Sequence, residues 1–249
     1  MAKPASIVPA KGRTAVVDVA DQLTELIYAK MTPGVSLPSE AEMAARYGVS
    51  RVTVREAIKM LAGRGLVEIS RGRRAVISEP TGEALGDFLG WIVQFDPKGM
   101  FDLVEVRMSL EVKAVALAAQ RATRPAIAGI ENMLDGMREV GKKIERIDAD
   151  IEIERQFHRY DVGFHEAVAL ASGNRVITSL IEAMAVPLER SFFMSRRGKA
   201  ARGIPVEHTV AAHQKILDCI KNKDSTGAIS AMRAHLEESA RDMRAALES

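Results

Sequence analysis

Residues 39–63 read SEAEMAARYGVSRVTVREAIKMLAG and specify the architecture of the N-terminal part of this 249-residue chain. Ser39, followed three residues later by Glu42, is a capping-box pattern that predicts the start of a helix. Gly48 is expected to end that helix, because glycine readily adopts the left-handed conformation that follows a helix. Residues 51–63 carry apolar side chains at helical spacing. The stretch therefore predicts two helices that meet across a short turn, as in a helix-turn-helix.

The flanking sequence extends this motif in both directions. Apolar residues at helical spacing predict a preceding helix over 16–30, whereas residues 1–13 lack such spacing and are expected to form a flexible leader. After the helix-turn-helix, alternation at 66–69 and an apolar run at 75–77 predict two short strands joined as a hairpin. We therefore predict a winged helix-turn-helix domain over 14–78, with the hairpin as its wing.

The charge of this N-terminal part indicates a polyanionic partner. The whole chain has a formal net charge of +2, but residues 1–78 carry 12 basic and 7 acidic side chains, and the remainder carries 23 and 26. A recognition helix places its first residues at base edges in the major groove of DNA, and nearby basic residues neutralise phosphates. Arginine bonds guanine through two nitrogens, and serine and threonine hydroxyls bond phosphates or bases. The predicted DNA contacts, at the helix start and on the wing, are Ser50, Arg51, Thr53, Arg55, Arg71, Gly72 and Arg73.

Residues 33–77, PGVSLPSEAEMAARYGVSRVTVREAIKMLAGRGLVEISRGRRAVI, resemble the DNA-binding domain of the GntR family of bacterial regulators. The Pro-Gly turn, the Leu-Pro-Ser-Glu helix start, the Val-Ser-Arg-x-Thr-Val-Arg-Glu-Ala recognition helix and the Gly-containing wing follow one another as in that family. The resemblance implies that this domain binds operator DNA. The chain differs at Ala41, where the family usually has a DNA-contacting arginine, and at Arg73 and Arg74, which replace smaller wing residues. These differences affect which operator sequence we expect the domain to prefer, and they leave the expectation of DNA binding unchanged.

The rest of the chain is predicted to form a helical domain. From residue 101 onward, amphipathic segments are separated by Gly, Pro or Asp, and no strand alternation is evident. The predicted helices span 101–121, 125–146, 150–171, 174–195, 206–222 and 225–247. Helices joined by short connections pack as antiparallel neighbours. The protein is therefore predicted to be mainly α, with an antiparallel all-α bundle over 100–249 and a linker over 79–99 that contains a connecting helix and a turn.

Four side chains of the helical domain have the chemistry of metal ligands. Asp161 and His165 are four residues apart and therefore share one face of a helix. His213 and His235 each lie eleven residues from Asp224, where two helices join, so antiparallel helices place the two imidazoles level. One carboxylate and three imidazoles suit a divalent transition metal, zinc first, with nickel, manganese or iron as alternatives. Such a site keeps open positions for water or for an effector carboxylate.

The helical domain also resembles the FCD effector domain of the FadR subfamily of GntR regulators. The resemblance rests on FDLVEVRMSLE at 101–111, DVGFHEAV at 161–168, and HQKILDCI and AMRAHL within 213–236. In family members with metal sites, the aspartate and three histidines of these motifs bind the ion. They correspond to Asp161, His165, His213 and His235. The residue before the third ligand is usually acidic in the family but is Ala212 here.

The same resemblance implies where an effector binds. The family commonly senses small carboxylates, and an arginine of its first bundle helix and a Ser-Gly-Asn motif correspond to Arg107 and Asn174. Arg107 is suited to pair with an effector carboxylate. The alternative is structural: Arg107 pairs with Glu111 one turn along the helix, and Asn174 caps the next helix.

Helix geometry distinguishes between alternative interpretations of the metal site. A metal-dependent hydrolase would need a general base near the open position. Glu166 is rotated about 100° from His165 around the helix, and the sequence has no hydrolase motif, so no enzyme is expected. His158 and His208 are placed outside the ligand set, since His158 is two turns from His165 and His208 is rotated about 140° from His213. A metal-responsive regulator, in which the ion itself is the signal, stays open.

These features predict a homodimeric transcription regulator that acts as a repressor. A small organic acid, bound at a metal-containing pocket, would control its affinity for a pseudo-palindromic operator. The single cysteine, Cys219, allows no internal disulfide and is consistent with the cytoplasm. No stretch approaches the roughly 18 apolar residues that cross a bilayer, so no membrane association is expected.

Overall fold

The structure, a computed structural model, describes residues 13–79, 82–95, 97–144 and 151–248. The chain divides into two compact units, Met1–Ala84 and Leu85–Ser249. Except for its last residue, the predicted leader 1–13 lies outside the described residues. Among the helices described, none combines the length and hydropathy needed to cross a membrane.

The N-terminal unit contains the three helices and the hairpin that the sequence predicts. Its elements are α1 Ala15–Lys30, α2 Glu40–Tyr47, α3 Arg51–Gly63, β1 Val67–Glu68 and β2 Val76–Ile77. The capping box is present, because the Ser39 hydroxyl accepts from the Glu42 N–H and the Glu42 carboxylate accepts from the Ser39 N–H. Gly48 ends α2 with a φ of 68°, in the left-handed region. Local sequence signals thus set both ends of α2 and the turn into α3.

The strands of the wing are shorter than predicted, and β2 has a second neighbour that the sequence pattern did not indicate. β1 and β2 pair antiparallel, with Val67 opposite Ile77. On the other edge of β2, the Leu37 N–H donates to the Ala75 carbonyl over 2.8 Å. The Ile77 N–H donates to the Val35 carbonyl over 2.9 Å. The segment before α2 is too short to show an alternating pattern, so only the structure reveals this pairing.

The core of the N-terminal unit buries one side of α3 and leaves the other side in solvent. Leu23 of α1 and Leu37 beside the sheet are buried together with Val54 and Leu61 of α3. Burying a side chain of this size stabilises a fold by roughly 1.5–3 kcal/mol. Val52, on the opposite side of α3, is 65% exposed. The packing therefore holds α3 firmly while keeping one of its faces available to a partner.

Beyond β2, the regular elements that the structure describes are all helices, which confirms the predicted all-α domain. They are α4 Glu83–Phe95, α5 Pro97–Arg121, α6 Arg124–Gly141, α7 Ile151–Ala171, α8 Arg175–Met184, α9 Glu189–Ala201, α10 Val206–Lys221 and α11 Ser225–Glu248. The predicted end of the second helix at 146 is wrong, because α6 ends at Gly141, whereas the predicted helix start at 150 lies outside the described residues. α11 packs against α5, α9 and α10, and α7 packs against α5 and α6. Phe157 and Phe164 of α7 are fully buried in this core.

The prediction of one helix over 174–195 is wrong. α8 ends at Met184 and α9 begins at Glu189, so two helices occupy this segment. Pro187 lies in the break. Proline interrupts a helix because it lacks the N–H of a helical hydrogen bond and because its ring clashes with the carbonyl four residues earlier. α9 continues to Ala201 and packs along α11. The break therefore creates an additional helix that lines the site described below.

The segment predicted as a linker, 79–99, contains α4. Val93 of α4 is buried and belongs to an apolar cluster that includes Met100 and Leu103 of α5. Pro97 is the first residue of α5, a position that suits proline because no helical N–H is needed there. Part of this segment is thus packed into the helical core.

Gly198 is required where α9 packs on α11, because a methyl group there would lie 1.8 Å from the Asp242 backbone carbonyl oxygen. We predict that Gly198→Ala lowers the free energy of unfolding of the helical unit by about 3 kcal/mol, since a backbone must shift. At Gly129, within α6, an added methyl group meets nothing within 4 Å. Gly129→Ala should therefore raise stability by roughly 0.5–1 kcal/mol.

The measurement is urea unfolding followed by the fluorescence of Trp91, the single tryptophan, which belongs to the helical unit. Equal unfolding midpoints for the Gly198→Ala and wild-type chains would contradict the proposed close packing.

Candidate functional site

The first turn of α3 presents the predicted DNA contacts to solvent. Ser50 caps the helix, and its hydroxyl accepts from the Thr53 N–H over 3.0 Å and lies 2.8 Å from the Thr53 hydroxyl. Arg51 is exposed on the same turn. The cap fixes the two hydroxyls at the helix start, where they can approach phosphates or base edges together with the Arg51 guanidinium.

Arg55, one turn further along α3, is ion-paired in the protein alone. Its Nε and Nη2 donate to the two carboxylate oxygens of Glu40 over 3.0 and 2.7 Å. The hydrogen bond from Arg55 lowers the pKa of Glu40. This two-point contact links the start of α2 to α3 and orients the guanidinium before any DNA binds.

The wing turn presents a group of arginines. Gly72 has a φ of 73°, and the Arg73 N–H donates to the Ser70 carbonyl over 3.1 Å, which closes the turn. The left-handed φ favours glycine at this position. Arg71, Arg73 and Arg74 around it are all exposed. The predicted wing residues are therefore displayed on one tight turn that is suited to the DNA backbone.

In the helical unit, three of the predicted ligands form one buried cluster. Ring nitrogens of His165 in α7, His213 in α10 and His235 in α11 all lie within 4.8 Å of one another. The His213 and His235 ring centroids are 4.4 Å apart, as the antiparallel arrangement about Asp224 predicts. The fourth predicted ligand is adjacent, since Asp161 Oδ1 lies 3.2 Å from His213 Nε2. The structure therefore brings all four side chains together.

The outer nitrogens of two rings are held by the protein, which turns their inner nitrogens toward one another. His213 Nδ1 donates to the Thr209 backbone carbonyl over 2.8 Å, and His165 Nδ1 donates to the Glu111 carboxylate. The Nε2 atoms of these rings then face each other at 3.3 Å. In neutral rings with these tautomers, both Nε2 atoms carry lone pairs, and the Asp161 carboxylate points at the same place. Three acceptors that converge in this way are suited to share a cation.

The ionisation of the cluster fits the same conclusion. Burial, followed by the charges of His213 and His165, holds the pKa of His235 well below its ordinary value, so this ring is neutral at physiological pH. Burial raises the pKa of Asp161, but the His213 ring and the charges of His165 and Arg107 lower it below its ordinary value. The site therefore offers an ionised carboxylate and a neutral imidazole, which are the forms that bind metals.

Arg107 and Glu111 of α5 form the next layer. Burial raises the pKa of Glu111, but Arg107 and His165 together lower it to about 2. The ionised Glu111 thus accepts from the Arg107 guanidinium and from His165 at once. The sequence pattern indicates Glu111 only as a partner of Arg107, because the contact of Glu111 with His165 joins two separate helices. The Thr209 carbonyl supports His213 in place of the acidic residue that the family usually has at Ala212.

A cavity of about 50 Å³ lies against this cluster, and Arg107, Asp161, His165 and His235 line it. The structure does not bring Asn174 to this cavity. The Asn174 side chain instead accepts from the backbone N–H groups of residues 176 and 177 and caps α8. Arg107, by contrast, both pairs with Glu111 and faces the cavity.

The remaining candidates occupy different places. His208 lies 3.5 Å from Glu238 and is outside the three-histidine group, as predicted. His158 is likewise outside the group, but it lines the cavity, with its ring centroid 4.3 Å from that of Phe192. Glu166 also lines the cavity, and burial, followed by Glu182, raises its pKa. The helical spacing from His165 did not reveal that His158 and Glu166 share a cavity.

Comparison with known families agrees with this two-part organisation. Residues 15–77 match the model for bacterial regulatory proteins of the gntR family, and residues 102–238 match the model for the FCD domain. The second match alone covers more than half of the chain. The chain belongs to the GntR family. Its combination of a gntR domain with an FCD domain is that of the FadR-like subfamily, and it is a DNA-binding transcription regulator and not an enzyme.

Individual relatives align along most of the chain. The galactonate operon transcriptional repressor of Escherichia coli (strain K12) is 28% identical over 225 residues, which are 88% of this chain and 92% of that protein. The HTH-type transcriptional repressor NanR of Cronobacter sakazakii is also 28% identical over 225 residues, which cover 88% and 81%. The solved structure named Streptococcus agalactiae GntR has a TM-score of 0.68 and 25% identity, and the match covers 91% of this chain and 99% of that one.

The exposed wing generates a prediction that needs no knowledge of the operator. If Arg71 neutralises one phosphate, Arg71→Ala should reduce the slope of log affinity against log salt by about 0.9, because fewer counterions are released on binding. The measurement is fluorescence anisotropy on a duplex of arbitrary sequence between low and moderate salt. Arg124→Ala, an exposed arginine of α6, removes the same charge far along the chain and should leave the slope unchanged. An unchanged slope in Arg71→Ala would show that this side chain does not contact phosphate.

Proposed function

We propose that the chain is a cytoplasmic transcriptional repressor that binds operator DNA as a homodimer and is released by a small organic acid bound at a metal-containing pocket of the FCD domain. Both relatives described above are named as repressors, which supports this sign of regulation. The observation that carries the proposal is the convergence of Asp161 and three imidazoles beside a cavity that Arg107 also lines.

The donor set fits a divalent transition metal, with zinc as the first choice. Asp161, His165, His213 and His235 would hold the ion, and Glu111 and the Thr209 carbonyl would orient two of the rings, as outer partners do in metal sites. When bound, the ion would supply positive charge and an open coordination position.

The charges of the site favour an organic anion as the signal. The ionised Asp161 and Glu111 offset a divalent ion and Arg107 adds one charge, so these groups together keep a formal excess of one positive charge. Arg107 adds a planar guanidinium to the same cavity, and such a group pairs well with carboxylates. A site that responded to the ion alone would not need the cavity beside it.

For the acid to act as a signal, it must bind two conformations of the protein with different affinities. If the conformation that binds the acid has the lower affinity for DNA, the acid releases the operator. By linkage, operator DNA must then weaken binding of the acid by the same factor.

A stripe of exposed apolar side chains on α4 supports dimerisation. Leu85, Phe88 and Ile92 occur at i, i+3 and i+7, next to Trp91, and the four side chains are between 38% and 60% exposed. Large apolar groups on one face of a helix are typical of protein interfaces. Two copies joined through such a face would match a palindromic operator.

The metal site is tested by elemental analysis of protein purified without a histidine tag. The wild type should contain about one divalent transition-metal ion per chain, and His213→Ala and His235→Ala should each lose it, because each variant removes one of the four ligands that would hold the ion. His208→Ala is the matched control, since His208 lies on α10 outside the cluster. Absence of metal after reconstitution, or its retention in both cluster variants, would exclude the site.

The dimer is tested with a charge on the α4 stripe. Phe88→Glu should weaken self-association at least tenfold, since it places an unpaired carboxylate in an apolar interface. Gln94→Glu adds the same charge on the opposite side of α4 from Leu85 and should leave the dimer intact. Light scattering after size-exclusion chromatography gives the molar mass of each variant. If the Phe88→Glu chain is still dimeric, the α4 stripe is not the dimer interface.

A further inference from the structure

Val52 lies on the solvent side of α3 although its side chain is apolar. It is 65% exposed, whereas Val54, Ile58 and Leu61 of the same helix are buried in the core. Among the described side chains of α3, it is the only large apolar one that is exposed. The buried side chains hold the helix in place, so Val52 is available for contact with a partner.

Neither packing nor helix formation accounts for a valine at this position. An exposed side chain gains little from the core, and β-branched residues form helices less readily than straight-chain residues. Val52 also occupies the unspecified position of the Val-Ser-Arg-x-Thr-Val-Arg-Glu-Ala motif, so the family resemblance assigns it no role. Its two γ-methyl groups leave one strongly preferred rotamer in a helix. Val52 therefore presents methyl groups to solvent in a fixed direction.

The neighbours of Val52 on the surface of α3 are predicted DNA contacts. Arg51 and Thr53 flank it in the sequence, and Arg55 lies three residues further on, on the same side of the helix. The Ser50 hydroxyl accepts from the Thr53 N–H over 3.0 Å, so the turn that carries Val52 is already ordered. Recognition helices meet base edges with their N-terminal residues. Val52 thus enters the major groove together with the polar side chains around it.

The major groove offers a valine one kind of apolar group. The base pairs present hydrogen-bond donors and acceptors there, and thymine alone adds a methyl group, at C5. Contact between this methyl group and the valine methyls removes apolar surface from water. A valine among arginines and hydroxyls therefore distinguishes thymine from cytosine in a way that the polar side chains do not.

We propose that Val52 recognises the 5-methyl group of a thymine in the operator, which makes it a specificity-determining residue of α3. The inference rests on the proposed function only in that α3 binds operator DNA. It does not depend on the metal centre or on the effector.

The first experiment identifies the thymine. Full-length protein without added ligand selects duplexes from a random pool, and each thymine of the selected sequence is replaced in turn by deoxyuridine, which lacks only the 5-methyl group. Fluorescence anisotropy should show that replacement at one thymine of each half-site weakens binding about fourfold, as expected for one methyl group removed from an apolar contact.

The second experiment assigns this methyl group to Val52. Val52→Ala should bind the thymine and deoxyuridine duplexes with affinities that differ by less than about twofold, because removing either partner eliminates the same contact. Alanine favours a helix at an exposed position, so this variant should fold. Val176→Ala is the matched control, since Val176 of α8 is 69% exposed and belongs to the helical unit. It should discriminate between the two duplexes as the wild type does.

The outcomes separate the inference from the proposed function. If no thymine replacement weakens binding of the wild type, or if Val52→Ala discriminates as strongly as the wild type, the role of Val52 is overturned while operator binding stands. If the selection yields no preferred sequence, the proposed operator binding fails and the inference fails with it.

Discussion

The organisation of the helical domain depends on placing three buried imidazoles and a buried carboxylate together. Buried polar groups need partners, and Glu111 and the Thr209 carbonyl supply them on the outer side of two rings. The inner nitrogens and the Asp161 carboxylate are left facing one point. A shared cation would satisfy all of them at once. The pairing of Arg107 with Glu111 then serves the same centre, because it keeps Glu111 ionised to hold His165.

The cavity beside this centre has two chemically different sides because different helices build them. α5, α7, α10 and α11 supply the ligands and Arg107, whereas α9 supplies two hydroxyls, from Ser191 and Ser195, and the paired cations Arg196 and Lys199. α9 exists as a separate helix because Pro187 interrupts the preceding segment. It packs on α11 because Gly198 has no side chain at the contact. Two backbone features, neither of them in the cavity, therefore allow α9 to place polar side chains beside the centre.

The sequence predicted what depends on local pattern and missed what depends on tertiary contact. The ends of α2, the four candidate ligands and the equal distance of two histidines from Asp224 are all properties of spacing. The support of His213 by the Thr209 carbonyl is not, since a backbone carbonyl has no residue-type signature. The same holds for Glu111, whose contact with His165 spans two helices, and for the polar side chains of α9 that line the cavity. The break at Pro187 was present in the sequence, but the amphipathic pattern on both sides favoured a continuous helix.

The DNA-binding unit separates affinity from specificity in a similar way. Exposed arginines on the wing provide charge, which attracts any duplex, whereas base recognition requires donors held in fixed positions on α3. Glu40 already engages Arg55 through both carboxylate oxygens, and Ala41 lacks the guanidinium that the family usually places beside it. Arg51, at the start of α3, is exposed and takes no part in this two-point contact. Family members usually have an arginine directly after the glutamate that opens α2. We expect discrimination among operators to depend more on Arg51 in this chain than in those relatives, while the arginines of the wing maintain affinity for the phosphate backbone.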